Sequence, residues 1–176
     1  MSHCAPTAAR AGHLHLLKWL YLRGELSDSS ETWENATKAG HLHILRWAEQ
    51  KAYTFEYDSL ASTAAEYGQL HIIQWIALKG HEFNDYDDIA FLAAINGHLR
   101  VLEWIWARVH FPEYIYAWKG GAFGGKIRIL EALKDRKVSP PNDVCECAAK
   151  HHHAKTLRWL KVNGCCRCGG AFHPAE

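Results

Sequence analysis

Apolar residues recur along the chain with the spacing of an amphipathic helix, and one version of that pattern returns many times. It is clearest in residues 40–47, which read Gly-His-Leu-His-Ile-Leu-Arg-Trp. Apolar side chains follow the glycine at two, four, five, seven and eight positions, and polar side chains follow it at three and six positions. This spacing predicts a helix with one broad buried face and one solvated ridge.

Six copies of this motif follow one another, starting at residues 12, 40, 68, 97, 125 and 152. The intervals of 28, 28, 29, 28 and 27 residues are typical of a tandem-repeat protein. The fifth copy lacks the tryptophan and the sixth lacks the glycine. We predict structural roles at the recurring glycine, histidine and tryptophan positions, which are Gly12, His13, Trp19, Gly40, His41, Trp47, Gly68, Trp75, Gly97, His98, Trp104 and Trp159.

A pair of small residues lies four and three positions before each motif start, which predicts a first helix that can approach its neighbour closely. Polar residues ten positions before the motif start are the predicted helix caps, Ser30, Asp58, Asp87 and Asn142. The second helix is predicted to end in a left-handed residue at Gly24, Ala52, Gly80 and Gly164. The sequence therefore predicts an all-α array of six helix-turn-helix repeats over residues 1–164, followed by an irregular Cys-rich tail at 165–176.

Residues 63–70, Thr-Ala-Ala-Glu-Tyr-Gly-Gln-Leu, and residues 93–99, Ala-Ala-Ile-Asn-Gly-His-Leu, resemble the Ala-Ala-x-x-Gly-His-Leu signature of ankyrin repeats. The period is shorter than the usual 33 residues of that family, so its long β-turn would be trimmed. The residues of the motif are similar to those of the short-period ankyrin arrays of large DNA viruses of amoebae and of some protists. The resemblance implies an ankyrin-like α-solenoid that binds another protein, without catalysis and without a cofactor.

Ankyrin arrays bind through a concave surface, and the two residues before the glycine are the family's variable contact positions. Ile95 and Phe123 place apolar side chains there, where the other repeats mostly have charged ones. Such a patch is typical of a binding hot spot. The resemblance thus implies partner-binding residues Glu66, Tyr67, Phe91, Ile95, Asn96, Tyr116 and Phe123. The alternative is that irregular stacking of the fifth repeat buries Ile95 and Phe123 in the core.

Two other interaction functions compete with that of a scaffold. An adaptor that recruits substrates for ubiquitination would need a recruitment segment such as an F-box, and none is visible in the sequence. A nucleic-acid binder would use the basic residues of the helix ridge, but Glu103 and Glu131 interrupt them. The formal net charge is +1, from 20 basic and 19 acidic residues, so we expect neither a nucleic-acid nor a membrane partner.

The sequence also bears on location and assembly. It has no apolar stretch near the roughly 18 residues of a membrane span and no charged leader followed by an apolar run, so we expect an intracellular protein of the cytoplasm, or of the host cytoplasm if it is viral. Neither end of the array carries a clear capping repeat. Three alternatives follow: the ends fray, the chain is part of a longer array, or the ends self-associate.

Two features that suggest chemistry have structural explanations. The histidines recur at equivalent repeat positions, so we predict that they bond to the backbone of the adjoining repeat and that the chain is not an enzyme. Residues 120–126 fit the Gly-x4-Gly-Lys part of a phosphate-binding loop and follow a strand-like segment at 114–116, but Ile127 stands where the loop needs Ser or Thr. The register assigns this segment to a degenerate repeat, whose four glycines predict the least stable first helix.

Five of the six cysteines lie between residues 145 and 168, and we expect reduced thiols. No metal is predicted, because Cys145 takes a core position and Cys147 points away from it on a helix. A less favoured alternative is a C-terminal zinc module with the ligands Cys145, Cys165, Cys166 and Cys168.

Overall fold

The structure is a computed structural model that describes residues 4–26, 29–81, 83, 86–108 and 114–165. All regular secondary structure in these ranges is α-helical, which confirms the all-α part of the predicted fold class. The helices are α1 (Cys4–Arg10), α2 (Leu14–Leu22), α3 (Ser30–Lys38), α4 (Leu42–Gln50), α5 (Tyr57–Glu66), α6 (Leu70–Leu78), α7 (Tyr86–Asn96), α8 (Leu99–Arg108), α9 (Ile115–Phe123), α10 (Ile127–Asp135), α11 (Val144–Lys150) and α12 (Ala154–Val162).

The helices pair in sequence order as six hairpins, each made of a first helix (odd-numbered) and a second helix (even-numbered). The chain forms two compact units, unit 1 (Met1–Asp85) and unit 2 (Tyr86–Glu176). In unit 1 the first helices pack side by side in the order α1, α3, α5, and in unit 2 in the order α7, α9, α11. Each second helix packs against the first helix of its own hairpin.

Each repeat turns its corner with the same backbone conformation. All six second helices begin two residues after a motif start, and the glycine before them is left-handed, as at Gly12 (φ 77°). The sixth repeat keeps this conformation without a glycine, because His152 has φ 57°. Ala52 (φ 63°) and Lys137 (φ 59°) do the same at the ends of second helices. The repeat geometry therefore imposes the left-handed corner, at a cost wherever the residue carries a Cβ.

The predicted helix caps are wrong in detail. Ser30, Asp58 and Asp87 lie inside the first turns of their helices, and Asn142 lies outside α11. The cap positions of α3, α5 and α11 belong to Ser29, Glu56 and Asp143, and their side chains make no capping hydrogen bond. Asp58 and Asp87 instead place negative charge at the positive end of the helix dipole, which also favours an acidic residue in the first turn.

The core lies between the two helices of each hairpin. The small residues before the corners are buried except for Ala149, as are the Leu, Ile and Val residues of the inner faces of the second helices. The motif tryptophans vary more: Trp47 is 7% exposed and Trp75 5%, whereas Trp19 is 49% exposed. Trp104 and Trp159 are partly buried. None of the helices in the described ranges is long and apolar enough to cross a lipid bilayer.

Aromatic side chains fill the short connections of unit 1. Phe55 lies between α4 and α5 and packs edge-to-face on Trp33 and Trp75, with ring centroids 5.9 and 6.3 Å away. Tyr53 packs on Trp33 at 5.0 Å and donates a hydrogen bond to the carbonyl oxygen of Leu26 at 3.3 Å. Ring packing thus joins adjacent hairpins across a connection too short for a long β-turn.

Candidate functional site

Three rings form a row on the first helices of unit 2. Phe91 of α7 and Phe123 of α9 meet edge-to-face with centroids 5.9 Å apart, and His151, just after α11, lies 3.5 Å from Phe123. Ile95 follows Phe91 by one helical turn, and Phe91, Ile95 and Phe123 are all partly buried. We call these four residues the apolar cluster. It contains three of the predicted partner-binding residues.

The glycine-rich segment brings α9 unusually close to α7. A Cβ atom on Gly124 would overlap the carbonyl oxygen of Ile95, and one on Gly120 would lie 2.7 Å from the carbonyl oxygen of Phe91. A Cβ on Gly121 would lie 2.9 Å from Leu130 Cδ2 in the second helix of the same hairpin. Each of these glycines therefore leaves room for a neighbouring chain segment, which explains their position in the fifth repeat.

Residues 115–123 form a helix, as the assignment of this segment to a degenerate repeat predicts, and not the strand that 114–116 resemble. Helix α9 begins at Ile115, and Tyr114 is its cap residue. Residues 120–123 are helical as well, so the glycines do not form the loop between a strand and a helix that phosphate binding requires. Packing against α7 and α10 overrides the weak helix propensity of this segment.

The other predicted partner-binding residues lie at helix ends. Asn96 is exposed at the end of α7, where its Nδ2 donates to the carbonyl oxygen of Leu92 at 3.0 Å. Tyr116 is 46% exposed in the first turn of α9. Glu66 and Tyr67 belong to unit 1, at the end of α5, and both are exposed.

Ion pairs lie beside the apolar cluster. Lys119, one turn before Phe123, pairs with Asp143 at 2.8 Å, and Lys150 pairs with Glu146 at 2.7 Å. The hydrogen bond to Asp143 raises the pKa of Lys119, and the hydrogen bond to Glu146 raises that of Lys150. Both lysines are therefore charged and paired at neutral pH.

The corner side chains of unit 1 bond to the backbone of the preceding hairpin, as the sequence predicts. These bonds are His41 Nε2 to the carbonyl oxygen of Arg10 at 3.1 Å, Gln69 Nε2 to that of Lys38 at 3.0 Å and His71 Nε2 to that of Gly40 at 2.9 Å. The same side chains lie over the corner glycines, since a Cβ on Gly40 would be 2.6 Å from Gln69 Oε1. The glycine thus serves both the left-handed turn and the fit of the next repeat.

Sequence reasoning missed a set of cations at the ends of the second helices. In five of six repeats a basic residue stands eleven positions after the motif start, and we call these residues the cap cations. Each stacks on an aromatic ring: Arg23 on Trp19 (4.6 Å), Lys51 on Tyr21 (5.3 Å), Lys79 on Trp75 (5.3 Å), Arg108 on Trp104 (4.4 Å) and Arg136 on Trp106 (4.4 Å). The regular spacing is the sequence signal that would have found them.

The cysteines give the zinc alternative little support. Cys145 is disulfide-bonded, so the expectation of a reduced thiol is wrong there and no thiolate is available to a metal. Cys165 is a buried free thiol, and burial raises its pKa. Cys166 and Cys168 lie outside the described residues. Within the described part of the chain, no group of three or more His, Cys, Asp or Glu side chains is arranged to hold a metal ion.

Comparison with known proteins assigns no family to the chain. No protein-family model matches the sequence, and no curated protein matches it either. Its function must therefore be argued from its own residues. Among the predicted sites, the structure assembles one, the apolar cluster of unit 2.

Proposed function

We propose that this chain is a non-catalytic, ankyrin-like protein-interaction scaffold of the cytoplasm, and that the apolar cluster of unit 2 holds its partner protein. The observation that carries the proposal is the partial exposure of Phe91, Ile95 and Phe123 on a face that is polar in unit 1. Two positions before the motif start, where unit 2 has Ile95 and Phe123, unit 1 has charged residues such as Lys38 and Glu66.

The cluster has the physical properties of a binding hot spot. Its rings already pack on one another, and the close approach of α9 to α7 at Gly120 and Gly124 fixes their positions. A pre-organised apolar surface loses little conformational entropy when a partner covers it. Because Lys119 and Lys150 are paired, we expect the partner to insert apolar side chains here and not a strongly charged group.

Three features support the ankyrin-like part of the proposal. Six hairpins follow the repeat register, and every corner residue at a motif start is left-handed. Corner side chains bond back to the preceding hairpin in unit 1. First helices pack beside first helices within each unit. An array joined in this way offers neighbouring repeats as one continuous binding surface.

The experiment is affinity capture with the full chain, comparing the wild type with Ile95→Asp/Phe123→Asp. We expect the variant to lose the partner with at least about 30-fold weaker binding, which corresponds to about 2 kcal/mol. The matched control is Arg10→Asp/Lys38→Asp, which places the same charges at the same repeat position in unit 1 and should bind as the wild type does.

Thermal unfolding distinguishes a surface role from a core role. The proposal expects the melting temperatures of both variants to stay within about 2 °C of the wild type. A large decrease for the unit 2 variant alone would instead identify Ile95 and Phe123 as core residues. Undiminished capture by that variant would place the partner elsewhere on the protein.

A further inference from the structure

The charge of this protein is divided between its two sets of helices. The second helices, taken with the residue that follows each, carry thirteen Lys and Arg residues and only four carboxylates, a net charge of +9. The first helices carry four cations and seven carboxylates, a net charge of −3. The near-zero charge of the whole chain, which counts against a polyanionic partner, is thus a sum over two unlike surfaces.

Every one of the thirteen cations on the second helices is exposed. Both units have the excess: unit 1 has five of these cations against Glu49, and unit 2 has eight against Glu103, Glu131 and Asp135. Helix α12 carries three cations at intervals of three residues and no carboxylate. Cations at that interval rise about 4.5 Å from one to the next along the helix. In unit 1, Lys18 and Arg46 stand at the same position of neighbouring repeats, and both are exposed.

The cap cations are held in place by the rings beneath them. A guanidinium that stacks on a ring by its face keeps the N–H groups of its edge free to bind an oxyanion, as Arg108 does above Trp104 at 4.4 Å. Arg23 and Lys79 also pair with carboxylates, Glu25 at 3.0 Å and Glu49 at 2.5 Å, so they contribute less net charge.

We propose that the second helices of unit 1 bind single-stranded nucleic acid. Their exposed cations would contact the phosphates, and Trp19, which stays 49% exposed with Arg23 stacked on it, would stack on an unpaired base. An acidic protein segment would satisfy the cations but would leave this ring unused. This surface uses other helices than the apolar cluster, so the two proposals stand independently.

The test is the fluorescence anisotropy of a labelled 20-nucleotide oligo(dT), titrated with the full chain at two salt concentrations. With about five phosphate contacts, binding should weaken about 100-fold between 50 and 200 mM salt. Lys18→Glu/Arg46→Glu reverses two charges on α2 and α4 and should weaken binding more than about tenfold. The control Arg10→Glu/Lys38→Glu makes the same change in net charge on first helices and should stay within about threefold of the wild type.

A separate variant tests the contribution of base stacking to binding. Trp19→Leu should weaken binding by about fivefold at both salt concentrations, because stacking does not depend on released counterions. If the charge reversal on α2 and α4 lowers the melting temperature, Lys18→Gln/Arg46→Gln replaces it. The Ile95→Asp/Phe123→Asp variant should bind the oligonucleotide as the wild type does, which separates this test from that of the proposed function.

Three results would overturn the proposal. Binding that does not change with salt would exclude phosphate contacts. Equal weakening by the Lys18→Glu/Arg46→Glu variant and its first-helix control would show that the effect comes from net charge alone. Displacement of the oligonucleotide by polyglutamate at an equal charge concentration, with no effect of Trp19→Leu, would assign the surface to an acidic protein segment.

Discussion

Unit 1 and unit 2 repeat the same helix hairpin, but the junction of α7 with α9 in unit 2 differs from the junctions between hairpins in unit 1. In unit 1, His41, Gln69 and His71 reach back to backbone carbonyl oxygens of the preceding hairpin. In unit 2, Gly120 and Gly124 let α9 approach the backbone of α7 directly. The same hairpin backbone therefore allows neighbouring hairpins to be joined either by side-chain hydrogen bonds or by direct close packing of their first helices.

The two kinds of junction accompany different surfaces. The first helices of unit 1 carry Glu31, Glu34, Lys38 and Glu66, whereas those of unit 2 carry the ring row of Phe91 and Phe123. Close packing brings the two phenyl rings into contact, so the apolar surface depends on the glycines beneath it. A departure from the repeat consensus has thereby produced the surface that we propose for partner binding.

The largest effect should come from closing the gap between α7 and α9. In Gly124→Ala the new methyl group must displace the backbone at Ile95, and we expect the free energy of unfolding to fall by about 3 kcal/mol. The control is Gly24→Ala in unit 1, where nothing lies within 4 Å and only left-handed strain of about 1 kcal/mol is added. Urea denaturation followed by circular dichroism measures both. Equal losses would mean that unit 2 is not close-packed at this point.

A smaller effect is expected from removing a polar junction in unit 1. Gln69→Ala deletes the partly buried hydrogen bond to Lys38 and should lower the free energy of unfolding by about 1 kcal/mol. In unit 2, Lys126 occupies the same repeat position and lies with its methylene groups beside Gly97. Lys126→Ala should therefore cost less than about 0.5 kcal/mol. A larger loss for Lys126→Ala than for Gln69→Ala would reverse the comparison.

The shared corner geometry predicts a still smaller gain in both units. Ala52 in unit 1 and Lys137 in unit 2 are left-handed residues with a Cβ, at positions where other repeats have glycine. Ala52→Gly and Lys137→Gly should each stabilise the protein by about 0.5 kcal/mol, because relief of strain exceeds the entropy that glycine adds to the unfolded chain. The measurement is the same urea denaturation. A gain in one unit and a loss in the other would show that the corners differ.

The rates at which thiols react should differ between the two units, and measuring them does not require a change in stability. Cys4 of unit 1 is exposed, whereas burial raises the pKa values of Cys147 and Cys165 in unit 2. A raised pKa lowers the thiolate fraction at neutral pH, so iodoacetamide should modify Cys4 first and the other two only as the pH rises. Peptide mass mapping after brief labelling measures the order in which the cysteines are modified. Early modification of Cys165 would show that its surroundings open readily.

The positions of the helices could be predicted well from the sequence, because the residue pattern of a helix lies within one short segment. Every second helix begins two residues after a motif start, and the left-handed ends predicted at Gly24, Ala52, Gly80 and Gly164 are all present. The caps were misplaced, because a polar side chain near a helix start has the same appearance in sequence whether it caps the helix or sits in the first turn. The cap cations were overlooked because they follow the motif and form no part of it.

The candidate site was only partly predictable. The apolar departures at Ile95 and Phe123 were visible in the sequence, but the contact of Phe123 with Phe91 and His151 was not. The four glycines at 120–125 suggested a weak helix, whereas the structure places Gly120, Gly121 and Gly124 against neighbouring chain segments. Glycine lowers helix propensity within its own segment, and it allows close packing only when a neighbour is present, which a single repeat does not reveal.

The sequence by itself determined the repeat register, the all-α class and the positions of the corners, because these follow from the spacing of residues along one short stretch. Only the tertiary structure decided which tryptophans are buried, which hairpins are joined by hydrogen bonds and which by glycines, and how charge divides between first and second helices. These properties belong to pairs of repeats. Their energies depend on which side chains the neighbouring hairpin brings into contact. The residue pattern of one repeat does not specify those side chains.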